Sequence, residues 1–170
     1  MNNAYLLERL SIHDLLCNFQ NAFDLQDWPL MNNCLCDEIL VDYSSFRNDP
    51  PRVMSSEEYI ALRKAALSEL RMQHNFSNLF ITLSDNQASA RCNYMILRSN
   101  TVNCTLAADF FHSIGRYFFE LKKRNNEWRI GGITQELIAN FGNASLHKGI
   151  KVNGGLANHA KVVGKHTFDK

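Results

Sequence analysis

Met72, His74, Phe76, Asn78 and Phe80 alternate along a run of period two, so one face of a strand would carry a histidine among mostly apolar neighbours. On such a face desolvation disfavours the imidazolium and keeps the ring neutral, the form a general base needs near pH 7. The other reading of His74 is a core histidine bonded to a backbone carbonyl. Asp24 falls near the C-terminal end of a helical pattern, where the macrodipole disfavours an anion, so helix stability does not account for it. Its plainer reading is an exposed helix-end aspartate making a turn contact. Tyr43 alternates with Val41 and Ser45 on a strand-like run. In an apolar cavity its hydroxyl could donate to a carbonyl and steady a developing oxyanion; otherwise it is a core aromatic whose hydroxyl reaches the rim.

Other chemistries find no foothold. There is no H-x-x-x-H, no Gly-rich phosphate loop, no dinucleotide fingerprint and no G-x-S-x-G. No metal or cofactor is expected, and any chemistry must come from side chains alone. Gly131-Gly132 reads as a bend in a strand. Period two turns His112 away from Tyr117, making it structural, and His13 reads as a surface or edge residue. His147, His159 and His166 fall in the C-terminal tail without carboxylate spacing for a metal. Five cysteines are an odd count, so full disulfide pairing is excluded, and Cys34-Leu-Cys36 is too tight for a zinc knuckle. Small buried thiols in a reducing, cytoplasmic setting are the expectation.

The elements that must position these residues follow from periodicity. Ile12, Leu15, Leu16, Phe19, Ala22 and Phe23 recur at helical spacing, with Ser11 as the expected N-cap. Asp27 caps a second short helix with Pro29 in its first turn. Glu38–Phe46 is β-branched and aromatic and predicts a strand, and Ser55-Ser56-Glu57-Glu58 is a capping box opening a third helix. Four strands are then predicted over Met72–Leu83, Gln87–Arg98, Leu106–Arg124 and Glu127–Ala139. Ser84-Asp85-Asn86 and Asn125-Asn126 turn the outer hairpins. Helices first and a meander after them is an α+β arrangement with helices on one face of the sheet.

The chain has 170 residues, enough for one core; 45% are hydrophobic and 21% charged, a globular composition. The net charge of +1 divides into +4 from residue 140 onward and −3 before it. A mildly acidic body offers no electrostatic footprint for nucleic acid. No apolar run approaches the roughly 18 residues of a membrane span, and the start lacks a signal-peptide pattern. The expected organisation is one domain over residues 1–139. A Gly- and Lys-rich extension over 140–170 would be mobile or ordered only by a partner subunit, since five of the eight glycines fall there.

Several strings, in this order, resemble the SnoaL-like group of the nuclear transport factor 2-like superfamily, and within it the scytalone dehydratases. They are Asn21-Ala-Phe-Asp-Leu-Gln-Asp-Trp28, Val41-Asp-Tyr-Ser-Ser-Phe46, Ser55-Ser-Glu-Glu-Tyr59, Arg71-Met-Gln-His-Asn75, and Gly115-Arg-Tyr117 with Glu127-Trp-Arg-Ile130. Together they span about residues 11–139. The resemblance implies a cone-shaped, strongly curved mixed or antiparallel sheet wrapped around three N-terminal helices, the cystatin-like arrangement, with a pocket at its wide end. It places the match of Asp24 beside that of His74, orienting it and stabilising its charged form.

Cofactor-independent lyase or isomerase chemistry on a small hydrophobic cyclic or polyketide-like compound is then expected. His74 would remove a proton beside a carbonyl, while Tyr43, aided by Tyr117, would stabilise the enolate oxygen. Phe23, Phe76, Asn78, Tyr94, Tyr117 and Phe119 are the expected substrate-binding residues, and a homo-oligomer, dimer or trimer, is the expected assembly. Three departures argue against scytalone itself: the family's second pocket tyrosine is Phe23 here, no histidine stands near Ile96–Arg98, and the polar pair around Ser113–Tyr117 is not reproduced. The alternative is a non-catalytic module, such as the small subunit of an aromatic-ring-hydroxylating dioxygenase or a small-ligand-binding protein.

Overall fold

The computed structural model describes residues 3–148, so His159, His166 and the extension from residue 149 lie outside the described residues. Helix α1 (Asn3–Asp24) buries Ile12, Leu15, Leu16, Phe19, Ala22 and Phe23, the stripe read from periodicity. It begins well before Ser11, which is no N-cap: its hydroxyl donates back to the Leu7 carbonyl at 2.9 Å. Near its start, Glu8 accepts from the Lys123 ammonium and the Trp128 indole N–H, both at 2.6 Å. Arg9 donates to the Ile81 carbonyl. These contacts tie the helix to the sheet and so fix where Asp24 emerges.

Helix α2 (Trp28–Cys34) is capped by Asp27, whose carboxylate accepts from the Leu30 amide, and it carries Pro29 in its first turn. Strand β1 (Leu35–Asp42) starts three residues earlier than expected and stops before Tyr43. The Asp42 carboxylate accepts from the Ser44 amide and hydroxyl, an Asx turn that ends the strand and opens a one-turn helix, α3 (Ser44–Arg47). The short strand β2 (Arg52–Ser55) was not legible after the Pro50-Pro51 break. Ser55 then caps α4 (Ser56–Leu67) by accepting from the Glu58 amide.

Strands β3 (Arg71–Ser84), β4 (Gln87–Ser99), β5 (Phe111–Arg124) and β6 (Glu127–Gly142) complete one six-stranded sheet of order β2-β1-β6-β5-β4-β3. Only β1 and β6 run parallel, so the sheet is mixed. Strand β5 begins at Phe111 rather than Leu106, because the Asp109 carboxylate accepts from the Thr105 and Leu106 amides and holds residues 107–109 in a 3₁₀ turn. Asn125 and Asn126 both adopt positive φ, the two-residue turn their sequence predicts.

The expected α+β architecture is present: helices fill the concave face of a curved mixed sheet, with the short α3 added to the expected three. The core joins the α1 stripe to alternate residues of β4, β5 and β6. Strand β6 runs three residues past Ala139, and a 3₁₀ turn over Ala144–Leu146 follows it, so ordered structure continues beyond the anticipated domain end. No helix among the described residues is long and apolar enough to cross a membrane.

Strand β3 breaks the simple alternation. Asn78 takes a left-handed φ of 55°, and the pairing with β4 slips between Ser77 and Phe80. This bulge reverses the parity of the strand. Met72, His74 and Phe76 face the helices before it, and Leu79, Ile81 and Leu83 do so after it, while Phe80 is turned outward and 54% exposed.

Candidate active site

Asp24 ends α1 and meets His74 on β3. Its carboxylate accepts from the His74 backbone amide at 2.8 and 3.0 Å and contacts the ring Nδ1 at 2.6 Å. A carboxylate accepts and an imidazole nitrogen donates, so Nδ1 carries the proton and Nε2 is left as the basic position. The anion disfavoured by the helix terminus is stabilised by three hydrogen bonds. The His74 side chain is only 4% exposed, and Phe23 stacks on it with ring centroids 4.9 Å apart. Burial holds the His74 pKa below its ordinary value, the hydrogen bond and charge of Asp24 act against that shift, and Arg98 adds to it.

The sign of the Asp24 effect gives a direct expectation. In Asp24→Asn the support for the imidazolium is lost, so the ring pKa, followed by NMR titration of the histidine resonances, should move further down. An upward or absent shift would mean that the two groups are not coupled as their geometry requires.

A small hollow of about 20 Å³ lies beside His74, walled by Phe23, Tyr43, Phe46, Arg63, Arg98, Tyr117 and His147 among others. It has room for about one water. Tyr43 stands at the start of α3, and its hydroxyl shares a 2.7 Å hydrogen bond with that of Tyr59, which is fully buried on α4. Tyr117 is buried on β5, and burial lifts its phenol far above the usual range. Behind Tyr43 the hollow adjoins an outer cleft of about 330 Å³, and Tyr43, Arg47 and Arg63 line both.

Three arginines converge there. Arg63 and Arg98 are 5% and 4% exposed, and the Nε atoms of Arg47, Arg63 and Arg98 are buried without a hydrogen-bond partner among the described residues. None of the ion pairs among the described residues includes them. Arg47 and Arg63 lie over the Tyr43 ring at 5.2 and 5.3 Å, Arg63 also over Tyr59, and Arg98 over Phe46 and Phe111. Arg98 donates to the Ser113 hydroxyl at 3.0 Å. Such ring contacts contribute roughly 0.5–2 kcal/mol, less than the several kcal/mol that burying an unpaired charge costs. Burial brings Arg47 and Arg98 down to about 10, which leaves both charged at neutral pH. His147, edge-on to Phe46, is pushed down to about 2 by burial and by the fields of Arg98, Arg47 and Arg63, so it is neutral.

A model of the SnoaL-like domain matches residues 4–134. The chain belongs to the SnoaL-like family. The scytalone dehydratase PfmaJ of Pestalotiopsis fici is 24% identical over 137 residues, covering 75% of this SnoaL-like chain and 71% of that protein. Among solved structures, the Kfla4162 protein of Kribbella flavida superposes with a TM-score of 0.76 at 18% identity, over 84% of this chain and 97% of that one. A hexachlorocyclohexane dehydrochlorinase (LinA) type 2 does so with a TM-score of 0.68 at 15% identity, over 84% and 93%. The nuclear transport factor 2-like fold is therefore the fold of this SnoaL-like domain.

Of the residues singled out in the sequence, His74, Asp24, Phe23, Tyr43 and Tyr117 are brought together. Four are not on the wall of the hollow. Asn78 is the exposed bulge residue. Phe76 packs near His13, 6.0 Å between rings, on the outer stretch of α1. Tyr94 lies against Tyr117, at 4.6 Å between rings, with its hydroxyl near Gln135 and Ser113. Phe119 is core, between Phe19 and Tyr117.

Arg47, Arg63, Arg98, Gln135 and His147 are the members that sequence reasoning missed. Two had a signal. Arg63 sits on the buried stripe Tyr59, Arg63, Ala66, Leu67 of α4, and Arg98 continues the inward series Ala88, Ala90, Cys92, Tyr94, Ile96 of β4. Arg98 thus points inward from the segment where the family's second histidine is missing. Among the described residues no three His, Cys, Asp or Glu side chains are grouped to hold a metal.

Proposed function

We propose that this chain is a lyase or isomerase that uses side-chain acid–base chemistry on a small cyclic compound with a proton beside a carbonyl. The observation that carries this reading is the Asp24–His74 pair, a carboxylate-oriented and desolvated imidazole stacked under Phe23. His74 Nε2 takes the proton, and the C–H electron pair moves into the carbonyl to give an enolate. Asp24 stabilises the imidazolium that forms. The enolate oxygen lies toward the Tyr43 and Tyr117 phenols, which donate to it. Collapse of the enolate then expels a leaving group on the neighbouring carbon, with the imidazolium proton going to it, or takes the proton back at another carbon. Relatives support this class: a dehydratase removes water and a dehydrochlorinase removes hydrogen chloride, and each elimination takes a proton from its substrate.

A second reading, a non-catalytic binding module, draws on the size of the hollow, about 20 Å³. A ring compound does not fit a hollow of that size unless its walls move apart. The two readings separate in one experiment. Under the first, the protein speeds exchange of the protons next to the carbonyl of α-tetralone in deuterated water, followed by NMR, above the buffer rate. Binding of α-tetralone with exchange at the buffer rate would leave only the module.

A further inference from the structure

The inner hollow and the outer cleft meet at a wall that is cationic and aromatic. Arg63 reaches it from α4, Arg47 from α3 and Arg98 from β4, three separate elements. Arg63 and Arg98 are more than nine-tenths buried, and both present an Nε–H that nothing among the described residues accepts. The carboxylate nearest the hollow, Asp24, is committed to His74. Asp49, on the rim of the outer cleft, contributes a favourable field to Arg47 alone among the three. The other basic groups of that cleft have partners: Arg52 pairs with Glu58 and Lys148 with Glu69. Positive charge is thus concentrated on one wall, where among the described residues no carboxylate pairs with Arg63 or Arg98, whereas Arg52 and Lys148 are paired. The adjoining surfaces, Phe23, Phe46, Met54 and Leu62, are apolar.

We propose that the compound this site takes carries an oxyanion substituent, a carboxylate on its ring, held by Arg63 with Arg47 and Arg98. This rests on the lyase or isomerase reading only in using the same cavity, since anion recognition stands on the arginines and not on His74. The ring lies against the apolar surfaces, and the carboxylate oxygens accept from guanidinium N–H groups that otherwise go unmet. A carboxylate so placed brings negative charge close to His74 and favours its imidazolium, helping the ring to hold the proton it removes. A neutral ring compound would leave the same guanidinium groups buried and unpaired.

Calorimetric titration of the full chain with β-naphthoate and with its neutral isostere β-naphthamide tests this. The acid should bind on the order of tenfold or more tighter than the amide. In Arg63→Met, which keeps a long apolar side chain but removes the charge, that preference should shrink toward parity. The melting temperature should hold or rise, because replacing an uncompensated buried charge by an apolar group relieves its desolvation. Equal binding of acid and amide by the wild-type chain overturns the proposal, as does an unchanged preference in both Arg63→Met and Arg98→Met. These outcomes are separable from the fate of the acid–base reading. Absence of the charge preference in the wild-type chain with exchange of α-tetralone intact removes the anion site alone, and preference without exchange removes the catalytic reading alone.

Discussion

Replacing His74 with alanine should cut catalysed proton exchange by roughly 10²–10⁴-fold, the usual worth of one positioned acid–base group. The fold should survive, because the backbone amide of residue 74 still donates to Asp24 and the pairing of β3 with β4 does not depend on the ring. Circular dichroism and gel filtration report on the fold, and NMR of the ketone reports on the exchange. The acid side of the wild-type rate profile adds a second readout. A base works deprotonated, and burial lowers the His74 pKa from 6.5. The rate should therefore persist as pH drops through 6.5 and fall only below it. A profile breaking above pH 6.5, or wild-type exchange in the alanine variant, would assign the proton transfer to another group.

Gly115→Ala should produce a large loss of stability for a single added methyl. Gly115 pairs with Tyr94 across β4 and β5 and sits at the register shift opposite β6. A β-carbon there would press into the Glu136 carbonyl oxygen and stand 2.7 Å from the Tyr94 ring. The carbonyl belongs to the backbone and cannot step aside without opening the β5–β6 pairing. Overpacking of this kind costs about 3 kcal/mol or more. For a domain of this length that corresponds to a melting temperature lower by roughly 6–12 °C. Calorimetry decides: an unchanged midpoint would mean that the strands are not this close. Because the Tyr94 ring lies against Tyr117, the variant should also disturb the floor of the site.

The helix stripe, the hairpin turns and the four-strand meander of β3 to β6 were legible because each rests on local periodicity or turn chemistry that tertiary contacts reinforce, whereas β2 and the parallel pairing of β1 with β6 carried no local signal. The meeting of Asp24 with His74 was legible only through the family resemblance; the residues alone marked an anion at a helix C-terminus and an imidazole on an apolar strand face, each unexplained by itself. Where the reading failed, a short-range event overrode a longer pattern. Asp42 ended a strand expected to run through Tyr43, and a left-handed Asn78 took itself and Phe80 off the inner face, while Phe76 kept that face but packs beside His13, away from the hollow. The arginines were hidden by their chemistry, since a lone arginine in a sequence reads as solvated. Their placement on buried stripes counts only once three of them are seen to converge. His147 was hidden by its company, a Gly-rich stretch in which nothing local marks a residue that packs against Phe46.

The bulge in β3 has a bearing on which changes the strand tolerates. Because the strand changes face at one residue, the inward positions before it, Met72, His74 and Phe76, and those after it, Leu79, Ile81 and Leu83, answer to different constraints, the first set holding His74 against the hollow and the second packing on the core. A gain or loss of one residue at this joint would flip one half relative to the other. Either His74 would swing out to the solvent or Ile81 and Leu83 would surrender their burial. Length should therefore matter here more than identity: in this chain one residue inserted or deleted at the joint should cost more than an exchange of the side chains beside it.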